Sequence, residues 1–320
     1  NRTPGGRHTG TTWKDSDGDL WLFGGFGIGT TPGVGRLNDL WRFDTGTLLW
    51  THMKGSNVTG AAGVYGAADA PGNTPGARQG ATGWATPGFL WLFGGTTDGG
   101  TTHHNDLWGY SIASGNWTVI KGSAATNVNG TYAAAPAANT PGARRDATGW
   151  VAQNGTLWLF GGSGLADIAS GATLGDMSDL WSFDPVTSNW THIGGPTTQG
   201  GTGTYTGLNS PGTPAARSAG SGWVTVDGDL WLVGGFKNGK DCCNDVWIYD
   251  IGTGVWTWKL GSSSTNVAGS YGSGSDAPGT RFTPSTWVTL NGTVWIFGGG
   301  GYDVFGNGGR LSDLWSYGIP

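Results

Sequence analysis

The sequence predicts an all-β fold of four-stranded sheets, repeated head to tail and packed as the blades of a propeller. Two observations carry this: one set of short aromatic segments recurs five times, and helical periodicity is absent throughout. The segment Leu20-Trp-Leu-Phe-Gly-Gly25 returns as Leu90 to Gly95, Leu157 to Gly162, Leu230 to Gly235 and Val294 to Gly299. Asn38-Asp-Leu-Trp41 returns as Asn105 to Trp108, Ser178 to Trp181, Asn244 to Trp247 and Ser312 to Trp315. An Arg-to-Trp segment precedes each: Arg7 to Trp13, Arg78 to Trp84, Arg144 to Trp150, Arg217 to Trp223 and Arg281 to Trp287. A fourth Trp follows in four units, at Trp50, Trp117, Trp190 and Trp256, which leaves only Trp258 of the 20 Trp unassigned.

Each unit reads as four strands in order. The Arg-to-Trp segment is the first. The Leu-Trp-Leu-Phe run is the second, short, continuous, closed by Gly-Gly and suited to burial on both faces. A tight hairpin joins the two, at Asp17-Gly18, Pro87-Gly88, Asn154-Gly155, Asp227-Gly228 and Asn291-Gly292, where Gly and Asn tolerate positive φ. Asp39-Leu-Trp-Arg-Phe-Asp44 alternates as a third strand with one face partly wet, and a short turn such as Asp184 to Asn189 leads to the fourth. Sheets repeated in this way stack as a solenoid or a ring of blades, and a ring protects strand edges. Each Trp buries about 150–250 Å², an upper bound of roughly 4–6 kcal/mol at about 25 cal/mol/Å². Such terms offset the entropy of fixing 65 Gly.

Composition excludes several classes. No Gly-X-Y period accompanies the Gly content, so the chain is not collagen-like. At 12% aromatic it is not a disordered polymer. The longest apolar runs are about four residues, against roughly 20 for a membrane helix. A net charge of −5 with six Lys speaks against nucleic acid and against insertion into, or attraction to, an anionic membrane. Asn1 is not an initiator Met, which suggests processing or a longer parent chain, and no signal peptide is recognisable at the start.

The Gly-Gly pair closing a hydrophobic second strand, with a Trp downstream, resembles the kelch repeat of β-propellers. The fuller wording, Leu20 to Gly25, then Asn38 to Trp41, then Pro75-Gly-Ala-Arg78, is similar to the large kelch-type repeats of secreted and surface proteins. That resemblance implies a kelch-type β-propeller with four complete four-stranded blades and a fifth of three strands. The whole chain, 1–320, is then a single propeller domain, with blades over about 7–57, 78–124, 144–195, 217–262 and 281–320. Two departures stand out: the units are longer than the kelch period of about 50 residues, and the fifth stops after its third strand. Either the ring closes on a three-stranded blade, or further blades lie outside this chain.

Comparison among copies separates scaffold from chemistry. Arg7, Arg78, Arg144, Arg217 and Arg281 hold one repeat position, and Asp39, Asp106, Asp179, Asp245 and Asp313 another. The expectation is a recurring buried ion pair or a pair of backbone clamps, and the alternative is an anion-binding ring at a channel mouth. Tyr65, Tyr132, Tyr205 and Tyr271 recur in the crossovers between units and read as anchors. His103-His104 and Cys242-Cys243 fill a slot held elsewhere by Arg36-Leu37, Asp176-Met177 and Arg310-Leu311, read as an exposed residue followed by a semi-buried one. No zinc spacing is present. Adjacent Cys242 and Cys243 are a candidate vicinal disulfide, although neighbouring Cα atoms lie about 3.8 Å apart, below the usual disulfide range. Asp15-Ser-Asp-Gly-Asp19 looks calcium-like, but it is a hairpin turn and lacks the later Glu of a binding loop. Among seven Asn-X-Ser/Thr sequons, Asn57 and Asn129 lie on crossovers and are the best glycosylation acceptors for an exported protein.

Function is expected where copies differ. The second-to-third loops vary from eight residues after Gly235 to 15 after Gly162, and the crossovers are long and rich in small residues. No convergent acid–base constellation is recognisable, so neither catalytic residue, metal nor cofactor is assigned. The reading is a non-catalytic scaffold, secreted or at a cell surface, binding protein or glycan through the variable loops, with a place in a larger assembly. The alternative comes from the resemblance: kelch propellers carry galactose oxidase-like copper-radical enzymes, which need two His ligands and a Tyr cross-linked to Cys. Adjacent Cys and scattered His depart from that pattern, so the match is to scaffold and not to site.

Overall fold

Five Trp–Trp pairs set the register of the sheets: Trp13 lies opposite Trp21, Trp84 opposite Trp91, Trp150 opposite Trp158, Trp223 opposite Trp231 and Trp287 opposite Trp295. Cross-strand aromatic pairs of this kind are the unit of sheet stabilisation. The computed structural model describes residues 3–30, 33–167, 173–270, 277–289 and 293–317. Among them there is no α-helix, only the 3-10 turn Pro136–Ala138. The chain divides into two compact units: Asn1–Asp146 with Gly164–Leu174 and Phe183–Thr191, and Ala147–Ser163 with Gly175–Ser182 and His192–Pro320.

Two sheets of the first unit are built alike. In one, Leu20–Ile28 pairs with Thr11–Lys14 on one side and Val34–Asp44 on the other, and Leu49–Lys54 follows at the edge. In the other, Thr82–Thr86, Phe89–Phe93, Leu107–Ser111 and Asn116–Lys121 pair in sequence order. Trp13, Trp21, Phe23 and Leu40 of the first pack on Leu90, Leu92, Trp108, Tyr110 and Trp117 of the second. Trp13 Nε1 also donates to the carbonyl of Trp91 at 3.1 Å, so the indole joins the sheets by a bond as well as by area.

The second unit repeats the plan. Ser221–Val224, Leu230–Val233, Val246–Asp250 and Val255–Leu260 pair in order, and Ser285–Val288, Val294–Tyr302 and Gly308–Tyr317 form another antiparallel set. Trp150 Nε1 donates to Trp231 O at 2.8 Å, repeating the bond made by Trp13. Thr148–Val151 and Leu157–Phe160 pair antiparallel in the same unit.

Four local results differ from the sequence expectation. The hairpins at Gly18, Gly155 and Gly228 use positive φ only at Gly, with the amide of Gly bonded three residues back. These are type I turns closed by a Gly bulge, because Asp and Asn there need not leave the right-handed region; Asn291-Gly292 lies outside the described residues. The second-to-third connections of the first and last units are not open loops. Strands Leu20–Ile28 and Val294–Tyr302 run on past Gly-Gly and pair again with Val34–Arg36 and Gly308–Arg310. At Gly24 (φ +59) and Gly25 (φ +91) the strand shifts register, and a side chain there would press backbone 2.7 Å away. Burial on both faces holds for Leu90–Phe93, Leu157–Phe160 and Leu230–Val233, whereas Val294–Tyr302 alternates and leaves Phe297 44% exposed. The crossover residues Ser210–Gly212 add a strand beside Val255–Leu260, which places the unassigned Trp258 opposite Ser210.

Candidate recognition site

Four of the repeats tie their first strand to their third with the same clasp. Arg78 Nη1 and Nη2 grip Asp106 Oδ1 and Oδ2 at 2.6 and 2.9 Å, both side chains fully buried. The same bidentate pair joins Arg7 to Asp39, Arg217 to Asp245 and Arg281 to Asp313. The Trp two residues after each Asp donates to its Oδ2: Trp41, Trp108, Trp181, Trp247 and Trp315, at 2.6–2.7 Å. Arg Nη1 also donates to the first carbonyl of the Gly-Gly pair, at Gly24, Gly94, Gly234 and Gly298. The guanidinium Nε reaches back two residues to Gly5, Gly76, Gly142, Ala215 and Gly279. Planar, always-charged Arg suits such a fork as Lys would not. Burial alone pushes the Asp106 and Asp245 carboxyls up, but their Arg partners outweigh it and hold both below the usual carboxylate range.

Two crossover tyrosines complete the clasp of the following sheet. Tyr65 donates to Asp106 Oδ2 at 2.7 Å with its ring 4.9 Å from Trp108, and Tyr205 donates to Asp245 Oδ2 at 2.7 Å between Trp247 and Trp258. Burial and the neighbouring carboxylate raise both phenols, so they stay protonated donors. Tyr132 is described and partly buried, while Tyr271 lies outside the described residues. Nothing in composition marks the partner of these tyrosines. The constant Gly-x-Tyr wording about forty residues before each Asp is the signal that could have found it.

The His and Cys pairs share one environment. Asn127 Oδ1 accepts from His103 N and Asn266 Oδ1 from Cys242 N, with the reciprocal bonds from Asn127 N to His103 O and Asn266 N to Cys242 O. His103 and Cys242 are therefore buried, not exposed as the alternation suggested, because a crossover Asn covers the strand there. His104 and Cys243 take the fully covered slot of Leu37 and Met177. Burial, with Arg78 beside it, lowers His104 to about 4, and burial with Arg145 does the same for His103. Cys242 and Cys243 stand as free thiols. Burial lifts Cys242 to about 11. No group of three or more His, Cys, Asp or Glu suited to a metal occurs among the described residues.

The remaining candidates are spent locally. Asp15 accepts from the amides of Asp17 and Asp19 and from Trp21 Nε1, and Asp19 pairs with Arg42 and Thr45, which accounts for the acidic turn. Asn57 is half-buried; its carbonyl accepts from Thr30 N. The Asn129 carboxamide donates to Ala166 O at 3.2 Å. Beside Arg7 and Asp39 lies a cavity of about 330 Å³ whose wall includes Trp41, His52, Ile28 and Asn57. No described helix is long and apolar enough to cross a membrane.

Antiparallel repeats closed by Gly-Gly and locked by a recurring Arg–Asp–Trp clasp define an all-β repeat scaffold of the kind that builds β-propellers. The chain belongs to the kelch-repeat family: residues 72–267, more than half of its length, match the KLHDC2/KLHL20/DRC7 Kelch-repeats domain. Kelch repeats generally mediate protein–protein interaction and are generally non-enzymatic. No curated protein matches the sequence.

Proposed function

We propose that the chain is a non-catalytic recognition and structural scaffold, a single propeller domain working outside the cell or at its surface as part of a larger assembly. Its partner is a protein, or a glycan on one, met by the second-to-third connections and crossovers. The observation that carries this reading is the clasp: the recurrent Arg, Asp and Tyr side chains are engaged in internal bonds at the end of each sheet from which those variable connections emerge. Rigid elements below and copy-specific segments above are the arrangement that supports recognition. Phe305, 84% exposed at the tip joining Val294–Tyr302 to Gly308–Tyr317, exemplifies the apolar material available there.

Site-specific photo-crosslinking tests the reading. A crosslinker at Val34, Val64 or Phe305 is expected to capture one defined partner in material from the source cells, and one at Val186 or Val226, on the opposite hairpin turns, is not. Capture from the turn positions alone would overturn the assignment of the surface. Stoichiometric copper with peroxide release from an alcohol would overturn the non-catalytic reading.

A further inference from the structure

In the third and fifth repeats the second-to-third connection lies on the preceding crossover as an added strand; in the second it does not. Leu165 N donates to Ala143 O at 2.8 Å, and Gly130 N donates to the next carbonyl, Ala166 O, at 2.9 Å. Tyr302 N likewise donates to Thr280 O at 3.0 Å, and Gly269 N to Asp303 O at 3.3 Å. The corresponding groups in the second repeat are Ala77 O and Gly63 N, and neither has a hydrogen-bond partner among the described residues. The connection Thr96–Thr102 turns back on itself instead. Thr97 N bonds to Thr102 O, and Asp98 Oδ1 accepts the amides of Gly100, Thr101 and Thr102. This leaves a cavity of about 430 Å³, within the range of ligand pockets, whose wall includes Gly63, Gly76, Ala77, Thr97 and His104.

Two further features fit the cavity to a strand. Gly5, Gly142 and Gly279, two residues before the clasp Arg, each face a loop carbonyl: a Cβ there would lie 2.1, 1.9 and 2.1 Å from Ile28 O, Leu165 O and Tyr302 O. In the fourth repeat, whose connection is also short, Ala215 stands in this place. Gly76 has no positive φ and no loop carbonyl against it, so the approach that the glycine permits is unused. The second feature is His104, 6% exposed, with no hydrogen-bond partner for either ring nitrogen among the described residues. Leu37 holds the same slot in the first repeat, and its Cδ2 lies 3.3 Å from the place of a Cβ on Gly29, the residue after Ile28. The second residue of an added strand therefore aims its side chain at this slot. Burial keeps the imidazole of His104 neutral at ordinary pH, so it presents one donor and one acceptor.

We infer that this cavity receives an extended segment of a partner polypeptide by strand addition. One residue of the segment donates its N–H to Ala77 O. The next accepts Gly63 N with its carbonyl and turns a neutral hydrogen-bonding side chain, a hydroxyl or carboxamide, toward His104. The inference rests on the recognition reading above and names the partner's chemistry at one place on that surface.

The probes are acetylated, amidated Gly-Leu-Ala-Asp, the sequence of residues 164–167, and the same peptide with Ala166→Asn, each titrated into the intact chain. The readout is the ¹⁵N-resolved amide resonance of Gly63, whose shift also gives the affinity. The expected result is saturable one-to-one binding that moves this resonance downfield, with the asparagine peptide about three- to tenfold tighter through the added hydrogen bond. His104→Leu should erase that preference and keep the shift. Gly76→Ala should weaken both peptides roughly tenfold or more, because its Cβ meets the arriving carbonyl. Ala215 occupies the same place in the fourth repeat, so this variant is expected to fold. No saturation by about 10 mM, a preference for asparagine that is absent or that survives His104→Leu, or undiminished binding to Gly76→Ala would each overturn the proposal. Failure of both peptides while a crosslinker at Phe305 still captures a partner would overturn this site alone and leave the broader recognition reading in place.

Discussion

Tyr205 donates its phenolic hydrogen to Asp245 at 2.7 Å, on the oxygen that already takes Trp247 at 2.7 Å and Arg217 at 2.6 Å. A crossover is thereby pinned to the sheet that follows it. The bond runs to a buried charge, and such bonds contribute about 1.5–3 kcal/mol. Tyr205→Phe keeps the ring against Trp247 and Trp258 and is expected to cost about 1.5 kcal/mol in urea denaturation at neutral pH. Tyr205→Ala also opens a hole between two indoles and should cost about 3–5 kcal/mol. Asp106→Ala leaves the Arg78 guanidinium buried without its counter-charge, for which about 3–5 kcal/mol is expected. An unchanged melting profile in all three would show that the clasp is decorative.

Leu48 sits at φ +60 and is 68% exposed in the turn between Val34–Asp44 and Leu49–Lys54. The corresponding turns carry Gly115 at φ +70 and Gly254 at φ +72, with amides that bond to Ser111 O and Asp250 O as Leu48 N bonds to Asp44 O. A left-handed L-residue costs about 1–2 kcal/mol, and Gly returns part of that through its extra unfolded entropy. Leu48→Gly is therefore expected to stabilise the chain by about 0.5–1 kcal/mol. A lower melting temperature for the variant would mean that the exposed leucyl side chain contributes packing that outweighs its strain.

Much of this was legible in the sequence because the repeat is its own control. The Trp-bearing first and second strands recur, so their pairing in register follows from alternation alone, as Trp150 opposite Trp158 illustrates. Recurrence also singles out Arg and Asp, since a pair present in every copy belongs to the scaffold. What recurrence cannot supply is the destination of a side chain that leaves its own unit. Tyr65 was readable as an anchor, but its oxygen partner lies 41 residues ahead in the next copy. The burial of His103 and Cys242 was hidden for a related reason: it is imposed by Asn127 and Asn266, each 24 residues downstream.

At Gly222 one sheet comes close to the next. A Cβ there would lie 2.3 Å from Trp150 Nε1 and 2.6 Å from Trp231 O, the two atoms of the hydrogen bond between the sheets. Neither is a flexible chain end. Gly222→Ala should break that bond and overpack the contact, with an expected loss of about 2–4 kcal/mol. Gly194→Ala meets nothing within 4 Å and should stay within about 0.5 kcal/mol of wild type. Equal stability of the two variants in guanidinium denaturation would refute the close approach.

His104 makes stability depend on pH in a window set by its burial. Covered side-chain surroundings, with Arg78 adding to the effect and Asp106 opposing it, lower the imidazole from an ordinary 6.5 to about 4. The unfolded chain therefore takes up a proton first as pH falls, so the stabilisation is complete above about pH 6.5 and disappears progressively down to about pH 4. A shift of this size amounts to about 2–3 kcal/mol at the acid end of the window. Asp106 stays ionised throughout, because its carboxyl is held below the usual range, so the clasp itself does not titrate there. His103, lowered to about 4 by burial and by Arg145, acts in the same direction. Leu37 fills the slot of His104 in the first sheet and is fully buried, which makes His104→Leu a fitting replacement. Urea midpoints measured at pH 7, 5.5 and 4.5 should fall steeply for the wild type and about half as steeply for His104→Leu, with the remaining slope removed by His103→Leu as well. A slope unchanged by both substitutions would place the acid sensitivity in the carboxylates instead.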